Sequence, residues 1–585
     1  MPFALVMDGY VDEPACFGVP PYISPYVRYA FGALSLAGME VAYLTCDAWR
    51  RTPREDLWRR ADLLVVISGL TVPGRYRGGS PLTLRELEAL AALPRSGPLV
   101  LGGPIHHGYA LQGGVRAREL AQLDLDCLCT GDPEAVLAHW CRSGQFVPER
   151  TRTYADLRPW AVAGAALVPQ HPNFPWVMAE MELSRGCDRT EGRCSFCTER
   201  APGTHEERSP EDVLEEAEAL SRAGVSAFRL GRCANILGYG GLFTPEGRLP
   251  RPEKLHILYE GFRARCPHLS VLHTDNANPL TIVRFPDAAA EVLEIIVRHN
   301  TAGDGLSFGL ENVSARVRER NNLKVSAEEA LFAVRMVNDI GGKPKEPRGL
   351  PALLPGLNFL VGLADDGDDS LEENRRFLEI LLETDLSVRR INIRRCIVFP
   401  DAPLASLLER YPSKIRERSY RRWKEWVRTE ADPAFLARVA PVGTVIRGIR
   451  MEERAGHVAF GRALGSYPPL VGVVADTPRE GDILDAAVCG HGGRSLTAVP
   501  FPLDLNRCDL SSLQALPGIG KARATRLVRG RPFESLDPLP SLLDAPTATI
   551  ADLTPFFAEA FPLVRTEISG SGVPENSLHR ATTAP

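Results

Sequence analysis

Three cysteines stand close together in the segment Met181-Glu-Leu-Ser-Arg-Gly-Cys187-Asp-Arg-Thr-Glu-Gly-Arg-Cys194-Ser-Phe-Cys197. Thiolates are soft ligands that suit iron–sulfur clusters and zinc. A structural zinc site takes four ligands, whereas no fourth ligand is evident near these cysteines. Three thiolates leave one iron of a 4Fe–4S cluster open to a substrate or cofactor. The spacing therefore predicts a 4Fe–4S cluster on Cys187, Cys194 and Cys197, and the alternatives are a zinc loop or three buried thiols.

The same segment resembles the radical S-adenosylmethionine (SAM) superfamily, whose members carry C-x3-C-x-aromatic-C after the first barrel strand. Cys194-Ser195-Phe196-Cys197 fits the second half of that motif, and the run-in ELSRGC is typical of it. The first spacer departs from the motif, with six residues instead of three. The resemblance implies that SAM chelates the open iron and that an electron from the cluster cleaves it to a 5′-deoxyadenosyl radical. It also implies an electron donor such as flavodoxin or ferredoxin.

Other segments resemble the SAM-contacting parts of this superfamily. The stretch Phe228–Asn235 stands where members have a Gly-rich loop, although an arginine replaces the usual acid there. Leu306–Asn312 resembles the segment that reaches the SAM ribose, the stretch Arg318–Asn322 downstream of it also fits, and Gly356–Leu363 resembles the strand beside the adenine. The resemblance therefore nominates as cofactor-contacting residues Phe196, Gly231, Arg232, Glu311 and Asn358.

Two further sets of residues are candidates for the lining of an active site. His273, Asp275, Asn276 and Asn278 crowd the end of one predicted strand, where polar residues indicate either an active site or turn chemistry. Cys233 and Cys396 are candidate catalytic residues, as hydrogen donors or carriers of an intermediate. The alternative for both is a buried thiol without a role.

The elements that must position these residues alternate between strands and helices from residue 178 to 404. Six candidate strands end near Leu183, Leu230, Leu272, Leu310, Gly362 and Val398. Helix caps are predicted at Ser209, Ser326 and Ser370, each followed by acidic residues. Six such units predict a partial (β/α)6 radical SAM barrel with its chemistry at the carboxyl ends of the strands.

Residues 1–145 predict a separate α/β domain, Rossmann-like, with a parallel sheet. Its candidate strands are Phe3–Met7, Val41–Leu44, Leu63–Ile67, Leu99–Leu101 and Cys127–Thr130. The strand ends resemble cobalamin-binding domains, which nominates for cofactor contact Ser68, Leu70, Gly102 and Gly103. The D-x-H-x-x-G motif that supplies the lower cobalt ligand is missing, so the alternative is a vestigial domain used for substrate or packing. Residues 146–177 are rich in Pro and Arg, which predicts a linker or a wrapping segment.

The C-terminal part predicts four smaller regions. Residues 405–437 form a helical connector, 438–505 resemble a TRAM-like or OB-like β-barrel, and 506–565 resemble a helix-hairpin-helix. Residues 566–585 predict a disordered tail. The Pro-Gly-Ile-Gly turn and the helix after it could bind a phosphate. The predicted contact residues are Gly518, Gly520, Lys521 and Arg523. The alternatives are protein contacts for the hairpin and a purely structural role for the β-barrel.

Composition limits the classes of function. The chain has 585 residues and a net charge of −5, which excludes a globally basic nucleic-acid binder and requires any such binding to use a local patch. No apolar run reaches the ~18 residues of a membrane helix. The 13 cysteines are otherwise scattered, which favours a reducing compartment and a cytoplasmic protein without a membrane partner.

The whole arrangement resembles radical SAM proteins with an N-terminal cobalamin-binding-like domain and a C-terminal helix-hairpin-helix. The leading hypothesis is an enzyme that modifies a nucleic acid, RNA rather than DNA, by methylation or methylthiolation. A second hypothesis is a radical SAM enzyme for a protein or small molecule, with C-terminal modules that serve assembly. A third is a non-catalytic nucleic-acid binder with a structural cluster.

Overall fold

The structure is a computed structural model, and it describes residues 1–13, 16–69, 79–110, 112–118, 120, 123–199, 204–544 and 552–557. The predicted cofactor residue Leu70 and the predicted tail 566–585 lie outside the described residues. Within the described ranges, no helix has the length and apolar character needed to cross a membrane.

The N-terminal domain is built on a parallel sheet of five strands in the order β3-β1-β4-β5-β6. Its strands are nearly continuous apolar runs, and β1 and β4 are buried along their whole length, as both faces of a parallel sheet require. The predicted parallel sheet is confirmed. The elements of this region are β1 (Phe3–Asp8), β2 (Tyr22–Ile23), α1 (Pro25–Leu36), β3 (Glu40–Thr45), α2 (Cys46–Arg51), α3 (Glu55–Arg60), β4 (Leu63–Ile67), α4 (Leu84–Ala91), β5 (Leu99–Gly102), β6 (Cys127–Leu128) and α5 (Pro133–Ser143).

The segment between the two α/β units is helical. It contains α6 (Tyr154–Ala163) and a 3-10 stretch, Gly164–Gln170. Leu157 and Leu167 are fully buried, and α6 packs closely on α1, where a Cβ at Gly32 would lie 1.9 Å from a backbone oxygen of Trp160. Of the two alternatives for residues 146–177, a linker or a wrapping segment, this packing agrees with the second, although prolines lie inside both helical stretches.

Six successive parallel strands, β7, β10, β13 with β14, β15, β16 and β17, form the second α/β unit. The third strand is interrupted: β13 pairs with β10, whereas β14 pairs with β15. The result is two half-sheets, β13-β10-β7-β2 and β14-β15-β16-β17. The elements here are β7 (Met178–Glu182), β8 (Ser184–Arg185), β9 (Glu206–Glu207), α7 (Pro210–Arg222), β10 (Ala227–Arg232), β11 (Leu242–Thr244), β12 (Gly247–Leu249), α8 (Pro252–Arg265), β13 (Val271–His273), β14 (Asn276–Ala277), α9 (Pro279–Arg284), α10 (Pro286–His299), β15 (Asp304–Glu311), α11 (Ala315–Asn321), α12 (Ala327–Gly341), β16 (Leu353–Val361), α13 (Asp368–Glu383) and β17 (Arg390–Arg395).

The two half-sheets form a partial barrel whose sides stay open between β2 and β17. Strand β2 belongs to the N-terminal part of the chain and extends the first half-sheet beside β7. Two of the predicted helix caps are confirmed, Ser209 on α7 and Ser326 on α12. The cap predicted at Ser370 is wrong, because α13 begins at Asp368 and the Ser370 hydroxyl bonds back to Gly367 from inside the first turn.

The C-terminal part contains the expected small barrel, closed by five strands in the order β18-β19-β20-β22-β21. Short helices precede and follow it. The elements are α14 (Leu404–Arg410), α15 (Glu417–Trp426), a π-helical stretch (Val427–Ala431), α16 (Asp432–Val439), β18 (Val445–Ala455), β19 (Val458–Ala463), β20 (Leu470–Val474), β21 (Ile483–His491), β22 (Ser495–Pro500), α17 (Leu510–Ala515), α18 (Lys521–Arg529) and α19 (Leu539–Leu543).

The loop between β19 and β20 joins this small barrel to the partial barrel. The Tyr22 hydroxyl donates to the Gly465 carbonyl over 2.8 Å, and the Ser466 amide donates to Nδ1 of His273 over 2.8 Å. The Tyr467 ring meets Phe17 at an edge, with 5.2 Å between ring centroids. The interior of the partial barrel is therefore sealed at one end by both the beginning and the last third of the chain.

Candidate active site

The three predicted cluster ligands lie in the loop between β8 and β9. Cys194 is buried, and Cys187 and Cys197 are half-buried. Burial, together with the nearby Glu199, Cys194 and Cys187, raises the pKa of the Cys197 thiol to about 12. The thiols are thus close enough to interact electrostatically. In the described part of the chain, no three His, Cys, Asp or Glu side chains are already grouped around a metal position. The fit to a cluster rests on the donor chemistry and on the loop's surroundings.

The cysteine loop is anchored to the end of α11. The Arg189 guanidinium donates to Sγ of Cys194 over 3.2 Å and to the Asn322 carbonyl over 2.7 Å. The Ser195 hydroxyl donates to the Asn321 side chain over 2.8 Å. Asn322 adopts a left-handed conformation with φ of 51° at the end of the helix, a position that favours asparagine. Sequence comparison marked this stretch only as similar to the superfamily and did not show that it holds the loop.

An apolar wall flanks the loop. Phe196, Cys194 and Cys197 pack with Cys396 and with a set of aliphatic side chains, Val317, Leu323, Leu360, Leu363 and Leu404. Cys396 is therefore beside the cluster ligands, and burial raises its pKa. Such a wall excludes water from the loop, which suits a site for radical chemistry.

Cys233, the other candidate catalytic thiol, is buried at the end of β10. It accepts a hydrogen bond from the Ser184 hydroxyl over 3.3 Å. Burial raises its pKa to about 12. The burial of both Cys233 and Cys396 agrees with the simpler alternative of packed thiols, and a catalytic role for either stays a prediction.

Glu311 and Asn358 lie on neighbouring strands of the second half-sheet. Glu311 ends β15 with a left-handed φ of 63°. Burial raises its pKa to about 7, while the nearby Lys324 and Arg394 lower it. The oxygen of Asn358 accepts a hydrogen bond from Asn392 over 3.2 Å. The structure thus brings these two predicted SAM contacts to the same side of the barrel.

Gly231 and Arg232, predicted on the other half-sheet, are engaged within the protein. A Cβ at Gly231 would lie 1.8 Å from Oε1 of Glu180, so the glycine makes room for that side chain. Arg232 binds Glu13 over 2.7 Å and Glu182 over 2.8 Å. These contacts explain both residues without a cofactor, and their contact with SAM stays a prediction.

The polar residues after β13 are also occupied by the fold. His273 accepts from Ser466, and Asp275 accepts from the Ser307 hydroxyl over 2.9 Å. Asn276 donates to the Gly231 carbonyl, and Asn278 caps α9. Turn and capping chemistry, one of the two alternatives, accounts for Asn278.

The interior of the partial barrel contains charges that sequence analysis missed. Arg229 forms an ion pair with Glu180 at 2.5 Å and a second one with Asp275, and all three side chains are fully buried. Asp12 is buried nearby, without a hydrogen-bond partner on either carboxyl oxygen, and burial raises its pKa to about 7. The available signal was the presence of Glu180 and Arg229 inside otherwise apolar strands.

The ligand edge of the N-terminal sheet faces the mouth of the barrel. The Gly114 amide donates to the Cys396 carbonyl over 2.7 Å, and the Ala117 amide donates to the Val398 carbonyl over 2.9 Å. The loop after β5 therefore lies beside the segment that follows β17 and is hydrogen-bonded to it. The two parallel units thus direct the carboxyl ends of their strands toward each other.

The small residues nominated for cobalamin pack against each other at this edge. The Ser68 amide donates to the Gly102 carbonyl, and a Cβ at Gly103 would lie 2.7 Å from the Ser68 carbonyl oxygen. Gly103 also has a left-handed φ of 93°. These contacts show close backbone packing, and cobalamin binding stays a prediction.

The turn between α17 and α18 contains the residues nominated for phosphate contact. Gly518 has a left-handed φ of 71°, and Gly520 and Lys521 are exposed. The Arg523 guanidinium donates to the carbonyls of Gly518, Leu543 and Asp544, and its contact with phosphate stays a prediction. Its contacts hold the turn to the end of α19.

Comparisons with known proteins give the family. The sequence model of the radical SAM superfamily matches residues 181–378. An uncharacterized protein of Archaeoglobus fulgidus is 38% identical over 516 residues, which is 88% of this chain and 93% of the relative. An uncharacterized protein of Methanocaldococcus jannaschii is 37% identical over 505 residues, 84% of this chain and 92% of the relative.

Among solved structures, a similar one is the radical S-adenosylmethionine methyltransferase TsrM from Kitasatospora setae, with tryptophan substrate and a SAM analog bound. The TM-score is 0.46 at 16% identity, and the alignment covers 69% of this chain and 75% of that chain. The matched family region contains the three cysteines, four of the six barrel strands in full and the end of the first strand, β7. The chain belongs to the radical SAM superfamily.

Proposed function

We propose that the protein cleaves SAM reductively and uses the resulting radical to modify a nucleic acid, RNA, by methylation or methylthiolation. The observation that carries the first half of this proposal is the cysteine loop between β8 and β9, anchored to α11 and backed by an apolar wall. Cys187, Cys194 and Cys197 would hold the cluster. When bound, a 4Fe–4S cluster supplies the electron that breaks a carbon–sulfur bond of SAM.

The chain's own residues have three tasks in this proposal. Arg189 and the two asparagines Asn321 and Asn322 fix the loop that holds the ligands. Leu360 and Leu363 keep water away from the reactive centre. Glu311 and Asn358 offer hydrogen-bonding oxygens where the nucleoside part of SAM would lie, as in the superfamily.

Transfer of a methyl or methylthio group would use the space between the two facing units. The ligand edge of the N-terminal sheet meets the chain beside Cys396, and small residues at Ser68, Gly102 and Gly103 allow close approach of a flat ligand. A cobalamin at this edge would be held next to the barrel mouth. A reduced flavodoxin or ferredoxin would supply electrons to the cluster.

The choice of RNA as substrate is supported by the C-terminal modules. The closed five-stranded barrel contacts the partial barrel directly through Ser466 and Gly465. The helix pair α17 and α18 exposes Lys521, Arg526 and Arg529 along α18. Small barrels and helix pairs of this kind bind phosphate backbones through exposed cations and backbone amides.

An anaerobic assay tests the first half of the proposal. Reconstituted protein, given SAM and dithionite, is expected to contain iron and sulfide and to produce 5′-deoxyadenosine, and the Cys187→Ala variant is expected to do neither. Absence of the product from the reconstituted wild type would leave a non-catalytic binder with a structural cluster as the better account.

Mass spectrometry of RNA tests the second half. RNA from a strain that lacks the protein should lose one modified nucleoside, and that nucleoside should return when the wild-type gene is restored but not the Cys187→Ala gene. Product formation from SAM, together with unchanged RNA and no salt-sensitive RNA binding, would instead favour a protein or small-molecule substrate.

A further inference from the structure

A deep cleft follows the open side of the partial barrel. It has a volume of about 620 Å³ and lies between the free edge of β17, the segment Pro20–Tyr22 and the small C-terminal barrel. Arg390, Asn392 and Arg394 alternate along β17 with residues of the apolar core, so their side chains point to the barrel interior. The cleft therefore leads from the surface into the barrel.

The lining of this cleft is strongly basic. It includes seven cationic side chains and two carboxylates, in a protein whose net charge is −5. Asp432 is bound by Arg428 and lies 3.6 Å from Arg494, and Glu452 is bound by Arg462. The remaining cations are Arg389, Arg390, Arg394 and Lys424. A concentration of like charge in a concave surface attracts anions.

Two of these arginines, Arg390 and Arg394, have guanidinium groups that are not paired with a carboxylate in the described residues. The Arg390 guanidinium stacks on the Tyr467 ring, 3.8 Å from its centroid. Stacking fixes the plane of a guanidinium while its N–H edge stays free for two oxygens of a phosphate.

The barrel interior behind this lining carries the opposite charge. Asp12 is 1% exposed, neither of its carboxyl oxygens has a hydrogen-bond partner among the described residues, and burial raises its pKa while the positive charges of Arg394, Arg229 and Arg390 lower it. A buried acceptor without a donor is costly unless a ligand supplies one. Tyr467 and the four prolines Pro20, Pro21, Pro468 and Pro469 give the cleft flat apolar walls beside its arginines.

We propose that this cleft binds the phosphodiester backbone of single-stranded RNA and admits one nucleotide into the barrel interior. Arg390 and Arg394 contact phosphate oxygens, Tyr467 lies against a base or ribose, and Asp12 accepts a hydrogen bond from the inserted nucleotide. An enzyme that acts on a base must take it out of its stack, which favours an unpaired strand. This inference rests on the proposed function, in which RNA is the substrate.

The length of β17 connects the basic cleft with the cysteine loop. A strand advances about 3.3 Å per residue, so Arg390 and Cys396 are roughly 20 Å apart along the chain. Cys396 packs with the cluster ligands Cys194 and Cys197. A strand of RNA that enters beside Arg390 therefore follows β17 toward the cysteine loop.

The test uses the reconstituted full-length protein and a short fluorescein-labelled oligouridine, with binding measured by anisotropy between about 50 and 200 mM salt. Arg390→Gln/Arg394→Gln is expected to weaken binding at least about 10-fold and to reduce the salt slope by about 1.4, since each phosphate contact on a single strand contributes about 0.7. The matched control Arg335→Gln/Arg376→Gln removes two exposed charges outside the cleft and should change affinity less than about 2-fold.

A crosslink keeps the test independent of variant folding. Oligouridine with one 4-thiouridine, irradiated with the wild-type protein, should attach to peptides that contain Tyr467 or Tyr22. Crosslinks confined to the α17–α18 region, with binding insensitive to the double variant, would overturn the cleft and leave RNA modification standing. Absence of any RNA binding by the wild type would remove both the cleft and the choice of RNA.

Discussion

The guanidinium of Arg189 donates a hydrogen bond to Sγ of Cys194 over 3.2 Å, and both side chains are buried. Arg189 is one of the six residues of the first spacer, which is longer than the superfamily motif. The longer spacer thus supplies a positive charge to a cluster ligand. Hydrogen bonds and charges at the ligand sulfurs set the reduction potential of iron–sulfur clusters.

Replacing Arg189 should lower the potential of the bound cluster. The Arg189→Met variant loses a cation and a donor that favour the more negative, reduced cluster, so we expect a shift of about 60 to 130 mV to more negative values, from about 1.5–3 kcal/mol for a charged hydrogen bond. Spectroelectrochemical titration measures it. Arg284→Met, which removes a nearby arginine paired with Glu191, is the control and should leave the potential within about 20 mV.

Each of the three cluster ligands should be needed for iron loading. Cys194→Ala and Cys197→Ala should reduce iron and sulfide after reconstitution to background and remove the visible absorbance, because two thiolates do not hold a 4Fe–4S cluster in place. Cys508→Ala changes a half-buried cysteine in the C-terminal region and should load as the wild type does. Normal loading of either ligand variant would refute the assignment.

Asp8 should make the N-terminal domain less stable as the pH rises. Burial raises the pKa of this carboxyl from 3.8 to about 7, while the Tyr43 hydroxyl, 2.8 Å away, lowers it. The folded state thus retains a proton that the unfolded state releases. This contribution is fully present below about pH 4, is lost as the pH approaches 7, and amounts to at most about 4 kcal/mol.

The Asp8→Asn variant removes this titration and keeps an acceptor for Tyr43. Its melting temperature should decline less than that of the wild type between about pH 4 and pH 7. Glu40→Gln, at an exposed position of the neighbouring strand β3, is the control and should follow the wild-type curve. Parallel curves for the wild type and Asp8→Asn would show that Asp8 is ionised throughout.

Arg229 should be essential to the stability of the partial barrel. Arg229→Met leaves Glu180 and Asp275 buried without their cation, a change that costs about 3–5 kcal/mol and lowers the melting temperature by roughly 10 °C. Arg222→Met removes an exposed arginine on α7 and should shift it by less than about 2 °C. Adding Glu180→Gln to Arg229→Met should restore part of the loss, since it removes one stranded charge.

Much of the secondary structure was readable because the signals are local. The apolar run Leu63–Ile67 forms a strand with the predicted bounds, and Ser209 begins α7 as its cap. The cysteine spacing likewise needs only one loop. The local pattern did not show the helix α6 within residues 146–177, because Pro159 lies inside a helix that tertiary packing stabilises.

The ion pairs of the barrel interior could not be predicted from local sequence patterns. Glu180 and Arg229 are 49 residues apart, and they meet only because β7 and β10 pair in one register. Gly231 shows why a local sequence resemblance can be explained by a long-range contact. Its resemblance to a SAM-binding glycine is local, whereas the need for a glycine beside Glu180 arises from the register between two strands.

The loop at Gly465 and Ser466 has a consequence for how the protein is made. Tyr22 and the loop after β19 together close one end of the partial barrel, which we call its floor. These two parts of the floor are separated by over three quarters of the chain, so the floor forms only late in synthesis. At about 5–20 residues per second, the cysteine loop leaves the ribosome many seconds before that floor exists. Folding of the partial barrel therefore cannot be completed until the small C-terminal barrel has been synthesised, even though all six of its own strands were made earlier.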